Sequence, residues 1–214
     1  VAEAGAVLVK WVPLAKNIHA EDPRTVEFLR KAGQIGMPML IHYGGERALG
    51  NMHPELEDPS PLLRTLRQLR REGTMPTVIV AHMATPCTWP LGSGRYYRMM
   101  LDAMLGEFAD APLYADVAAL ALFTRARWLK RLARMPSIHR KLVYGSDFPI
   151  PPSADAFRWE LGRRYREIAA IPNWIDRDAA IKSALGLAEL SALPIAVHIS
   201  EQAGIQLTRF SACR

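Results

Sequence analysis

Five short apolar runs, a polar residue near the C-terminal end of each, and a recurrence of the same beat along the chain predict an α/β fold of the (β/α)8, TIM-barrel-like class. The runs are AVLVKWVP (6–13), PMLIHYGG (38–45), TVIVAHMA (77–84), PLYADVAAL (112–120) and KLVYGSDFP (141–149). Their polar residues, Lys10, His42, His82, Asp116 and Asp147, lie 32, 40, 34 and 31 positions apart. A barrel advances by roughly 30 residues per strand–helix unit, so about five of eight units are visible.

Each run is nearly continuous in hydrophobicity, the pattern of a strand buried on both faces and therefore of parallel pairing. Helical segments fill the intervals. Asp22-Pro23 offers a cap and a first-turn proline to TVEFLRKAGQIG, with Gly33 and Gly36 as stop signals. Ser60-Pro61 opens LLRTLRQLRREG in the same way, and that helix ends at Gly73. RYYRMMLDAMLGEF (95–108) and TRARWLKRLARM (124–135) supply the third and fourth. Ser153 is the expected cap of ADAFRWELGRRYREIAA, and a last helix lies in NWIDRDAAIKSALGLAEL with Asp176 or Asp178 near its start. A doubly wound sheet shares this alternation, but it usually announces a Gly-rich phosphate loop after its first strand. Neither GxGxxG nor GxxxxGK[ST] occurs here.

Composition narrows the class. Of 214 residues, 50% are hydrophobic and 22% charged, which suits one globular domain and excludes disordered or fibrous chains. No window reaches the roughly 18 apolar residues of a membrane span, and no signal-peptide pattern opens the chain. Cys87 and Cys213 form no CxxC or CxxH pattern, so neither a disulfide framework nor a cysteine metal site is expected. These features lead to the expectation of a cytoplasmic protein without a membrane partner. The net charge of +6 comes mostly from arginines in 62–73, 124–136 and 157–169, each interleaved with apolar residues at helical spacing. Amphipathic helices with solvated basic faces explain them. A basic module for acidic polymers ranks last, because no nucleic-acid-binding motif accompanies the charge.

The chemistry is expected at the strand ends. In a barrel these converge on one mouth, so His42, His82 and Asp147 can meet there although they are far apart in sequence. Two imidazoles and a carboxylate with an open position make a workable ligand set for zinc or a similar divalent ion. Such an ion lowers the pKa of its water to about 7, and Asp147 would take that proton and hand it to a leaving group. Lys10, in a strand, is expected either to reach an aspartate across the barrel or to bridge metals in a carboxylated form. Asp116 carries a similar ambiguity. His19 and His139 read as surface residues, and Cys87 as a small filler of the same mouth. Arg47 and Arg95, in loops after strand ends, would suit an acidic substrate. Glu46 and His53 are further candidates in the long loop after His42.

The order KWVP, MLIHYGG, VIVAHMA, LVYGSDFP, followed by a helix such as DRDAAIKSALGL, resembles the C-terminal two thirds of the amidohydrolase-related TIM-barrel hydrolases, in particular the branch that includes small-acid decarboxylases. The resemblance covers residues 5–188 and is strongest at IH (41–42), AH (81–82) and GSDFP (145–149). It implies a metal-dependent enzyme acting on a small, carboxylate-bearing molecule by hydrolysis or by non-oxidative decarboxylation. His42 and Asp147 would be metal ligands, with Asp147 also the proton shuttle. His82 would bind a second metal or the substrate, and Lys10 would bridge two metals as a carboxylated lysine. The HxH pair of the family's first strand is absent from this sequence, and residue 1 is valine. The expectation is therefore a partial barrel over 1–190 with an atypical tail over 191–214, which carries a strand-like LPIAVHIS and His198. As a partial barrel it would either work with this reduced ligand set, or be inactive and complete itself with a partner segment or as a homo-oligomer, since an open parallel sheet exposes its edges.

Overall fold

All five apolar runs form strands, and all pair in parallel. The computed structural model describes residues 6–45, 53–87 and 93–188. Glu46, Arg47, His198 and Cys213 lie outside them. The strands are β1 (Val9–Trp11), β2 (Met39–His42), β3 (Val78–Ala81), β4 (Leu113–Asp116) and β5 (Leu142–Val143), hydrogen-bonded in chain order. Lys10 pairs with Leu40, Leu40 with Ile79, and Ile79 with Tyr114, so one row of side chains crosses the sheet. Parallel neighbours in chain order require a crossover between each pair, and helices supply it.

The two faces of the sheet differ. On the outer face Met39, Ile41, Val78, Val80, Leu113 and Leu142 join the helices in one continuous core. On the inner face Ile79 and Val143 are buried, while Leu8, Leu40 and Tyr114 pack against them only partly covered. Among the described residues β1 and β5 have one neighbour each, so the curved sheet is an open section of a barrel.

The helices follow the sequence pattern with local corrections. α1 (Pro13–Lys16) and α2 (Pro23–Gln34) come first, and the Asp22 carboxylate accepts the Arg24 amide at 2.8 Å as expected. α3 (Ser60–Arg71) is not capped by Ser60; Asp58 Oδ1 instead accepts the Ser60 amide at 2.8 Å, forming the turn that leads into the helix. α4 (Arg95–Leu105), α5 (Ala126–Ala133) and α6 (Pro136–His139) follow. The segment after Ser153 does not form one long helix. It breaks into a 3-10 turn, α7 (Arg158–Leu161), a second 3-10 turn and α8 (Tyr165–Ala169), and the Ser153 side chain makes no capping bond. α9 (Trp174–Ala184) is capped by Asn173, whose Oδ1 accepts the Ile175 and Asp176 amides at 2.8 and 3.3 Å, and Asp176 lies in its first turn as expected. No helix among the described residues is long and apolar enough to cross a membrane.

The arginines of α3 are exposed, as their spacing suggests, and they pair with acidic residues of neighbouring segments. Arg64 binds Glu21 at 2.7 and 2.9 Å, Arg67 binds Glu107 at 2.6 Å through two nitrogens, and Arg70 reaches Asp110 at 2.9 Å. Arg30 pairs with Glu72 and with Glu27. Most of these clasps link neighbouring βα units. Exposed pairs of this kind are screened by solvent and add little to stability. His139 is part-buried and holds the Leu132 carbonyl at 3.0 Å, a packing role instead of the surface position expected for it.

Gly33 is not a stop signal but an interior residue of α2. A Cβ built there would fall 1.9 Å from the Thr74 carbonyl oxygen, so the helix rests directly on the loop before β3. Alanine in place of a helical glycine ordinarily stabilises by about 1 kcal/mol. Gly33→Ala is expected to have the opposite sign, a loss of about 1–3 kcal/mol through overpacking, measured as a lower urea midpoint with an unchanged slope.

Candidate active site

The polar residues at the strand ends gather on the inner side of the sheet. Register explains most of them: Leu8 and Lys10, Leu40 and His42, Tyr114 and Asp116, and Val143, Gly145 and Asp147 each share parity along their runs, and side chains alternate faces with period two. His82 breaks this rule. Continuing β3 would turn it toward the helices after the inward Ala81, but its φ is +53°, and the left-handed backbone throws the ring back into the mouth. Met83, Ala84, Ala119 and Asp147 also have φ between +50° and +59°. Left-handed conformations at non-glycine residues cost on the order of 1 kcal/mol or more, and three strand-end loops carry them side by side.

Around His82 the contacts are specific. Nδ1 lies 2.9 Å from the Ala118 carbonyl oxygen and 3.5 Å from Asp116 Oδ1. A carbonyl only accepts, so in the neutral ring the proton sits on Nδ1 and Nε2 keeps its lone pair. Nε2 faces Asp147 Oδ2 at 3.7 Å, beyond hydrogen-bonding distance. His42 packs edge-on against His82, with ring centroids 5.2 Å apart and an interplanar angle of 73°. Both imidazoles are buried, whereas the Asp147 side chain remains 29% exposed.

Asp116 resolves its ambiguity as an orienting group. Its Oδ1 accepts the backbone amides of His82 at 2.7 Å and of Ala118 at 3.1 Å, and faces the His82 ring. Burial alone would raise its pKa, but the His82 contacts and the two amides outweigh burial and leave it below the ordinary carboxylate value. A folded-state pKa below the unfolded one stabilises the protein above about pH 4 and is lost as pH falls through the folded value. Asp116→Asn is therefore expected to cost about 1–3 kcal/mol at pH 7. Urea melts between pH 7 and 3 should show the gap from wild type closing at the acid end.

A cavity of about 370 Å³ opens beside this group, lined by Leu8, Lys10, Leu40, Ile79, His82, Asp116, Ala118, Val143, Tyr144, Gly145 and Asp147. Its size suits a small molecule. Lys10 is exposed on its wall, so it carries little of the desolvation cost that a buried strand lysine would. Cys87 lies by the loop after β2, where a Cβ on Gly45 would meet its Sγ at 3.3 Å, and it is not among the residues that line the cavity. His53 is remote from this wall and contacts Glu55 at 3.3 Å; His19 is exposed beside Asn17. Arg95, the first residue of α4, lies over the Tyr96 ring.

The ligand set expected for a metal is only half assembled. His82 Nε2 and Asp147 Oδ2 are close enough to share one ion, since zinc binds nitrogen and oxygen at about 2.0–2.2 Å each. Among the described residues, however, no group of three His, Cys, Asp or Glu side chains could hold a metal ion.

Sequence reasoning missed the support behind the site. Lys182, on α9, is 1% exposed and donates to the Gly145 carbonyl at 2.7 Å and to Asp178 at 2.5 Å. It lies 4.9 Å from the centre of the Tyr144 ring. Burial lowers the pKa of Lys182 and raises that of Asp178, and burial with the Asp178 charge beside it pushes the Tyr144 phenol well above its ordinary value. A signal was present in the sequence: Asp178 and Lys182, four apart, occupy the helix face where apolar residues would be expected.

Comparison with known proteins supports the architecture. No family model and no curated protein matches the chain. A solved structure, described as an uncharacterized TIM-barrel protein from Bordetella bronchiseptica, is similar with a TM-score of 0.57 at 18% sequence identity. The match covers 95% of this chain and 60% of that one, so this chain spans about 60% of its neighbour's length. The fold is of the TIM-barrel type, with five strands among the described residues.

Proposed function

We propose that the strand-end cluster is the active site of an amidohydrolase-type hydrolase acting on a small, carboxylate-bearing substrate. The observation that carries this reading is the His82–Asp147 pair, facing across the mouth with His82 held through its other nitrogen. An imidazole fixed at Nδ1 and backed by a carboxylate is the arrangement that presents Nε2 as a base or a ligand. Asp147 takes a proton from the attacking water and returns it to the leaving group as the acyl bond breaks. His82 Nε2 holds that water in line, and Asp116 orients His82 by accepting the His82 and Ala118 amides. Lys10, an exposed ammonium on the cavity wall, suits the substrate's carboxylate.

A divalent ion such as zinc, implied by the resemblance to the amidohydrolases, would supply activated water when bound. The described residues do not complete a ligand set for it, so the steps above do not depend on it.

Non-oxidative decarboxylation is the second reading. It is favoured by the apolar floor of Leu8, Leu40, Ile79 and Val143, which disfavours a bound carboxylate more than the neutral carbon dioxide it becomes. There the carbon–carbon bond breaks, its electrons stay on the remaining carbon, and Asp147 supplies the proton.

The test is turnover of a panel of carboxylate-bearing esters, amides and aryl acids, with and without added zinc, by wild type, Asp147→Asn and His82→Gln. Hydrolysis or carbon dioxide release lost in both variants supports the site and separates the two readings. Turnover retained in both overturns it.

A further inference from the structure

Lys182 is a buried cation outside the reacting pair, and a methionine of similar length would fill its volume without the cost of desolvating an ammonium. Its contacts show where that charge is used. Its Nζ donates to Gly145 O at 2.7 Å, two residues before Asp147. Gly145 in turn lies against the loop after β4: a Cβ there would meet the Ala118 Cβ at 3.0 Å. Ala118 is the residue whose carbonyl holds His82 Nδ1. One ammonium therefore sits behind the backbone that carries both halves of the pair, and the charges of Asp116 and Asp147 as well as Asp178 favour its protonated form.

We propose that Lys182, held by Asp178, is the positioning residue of the site: by fixing the Gly145 carbonyl it sets the left-handed turn at Asp147 opposite His82. Its importance for catalysis rests on the proton-carrying role given to Asp147 above; its effect on the turn does not. The turn closes through two backbone bonds, Ile150 N–H to Asp147 O at 2.9 Å and Ala119 N–H to Ser146 O at 3.3 Å.

Amide hydrogen exchange tests this without a substrate. The variant Asp178→Leu/Lys182→Met removes the pair together, which a buried ion pair tolerates far better than loss of one member. Asp178→Asn keeps Lys182 and its bond to Gly145. Protection at Ile150 and Ala119 is read relative to Val78 and Ala115, whose amides bond to Pro112 O and Lys141 O within the sheet. The expected result is a loss of about tenfold or more at Ile150 and Ala119 in the double variant only, with the sheet amides as reference. Unchanged protection in the double variant, or an equal loss in Asp178→Asn, overturns the proposal. Failure of Asp147→Asn to alter turnover would overturn the catalytic reading and leave this exchange result standing.

Discussion

Asp147→Asn is expected to lower turnover by about 10²–10⁴-fold, the range that a positioned acid–base group contributes. The substitution is nearly isosteric, and asparagine tolerates the left-handed backbone that Asp147 adopts at φ +59°. Stability should therefore stay within about 1 kcal/mol of wild type, as for a partly exposed side chain outside the core. A parallel loss of activity and melting temperature would point instead to a capping role in the turn. Loss of activity alone assigns the carboxylate to the chemistry.

The largest expected effect on stability belongs to Lys182→Met. It leaves Asp178 buried without its cation, and breaking a buried pair by removing one partner costs about 3–5 kcal/mol. The side chains of Lys182 and Asp178 are 1% and 4% exposed, so solvent screening does not reduce this. Asp178→Leu/Lys182→Met should recover most of the loss, because it replaces both charges with apolar volume. Denaturant melts of the two singles and the double give the coupling directly. A single variant as stable as wild type would mean that the ammonium contributes nothing by its charge.

Much of the fold could be read from residue order because its signals are local. Five apolar runs at a regular beat gave five parallel strands, and inward parity placed Lys10, His42 and Asp116 on one face, while Asp147 lies in the turn beyond β5. His82 reached that face for a reason no pattern shows: its inward direction depends on a left-handed backbone that follows the four regular residues of β3. Gly33 was misread because a glycine near a helix end is usually punctuation, whereas here it allows contact with Thr74. The solvated arginine faces are legible from helical spacing, but their ion-pair partners are not, because Glu107 and Asp110 lie 40 positions away in sequence. For Lys182 the spacing from Asp178 signals a buried pair, but its tie to the site is not legible, since its principal partner outside its own helix is the backbone carbonyl of Gly145. The metal expectation came from the residue types at the strand ends and from resemblance, and the described donors meet it only as a pair.

The central claim is that His82 presents an unprotonated Nε2 to Asp147 while its Nδ1–H is held by Ala118. Long-range ¹H–¹⁵N correlation of the histidine rings measures this directly. In the neutral ring of His82 the expected result is a protonated Nδ1 and the ¹⁵N shift of a lone pair at Nε2, with Nδ1 reverting toward the free-imidazole average when Asp116 is replaced by alanine. A ring protonated at Nε2 would contradict it: His82 would then donate toward Asp147 as part of a structural pair, with no nitrogen left to act as base or ligand.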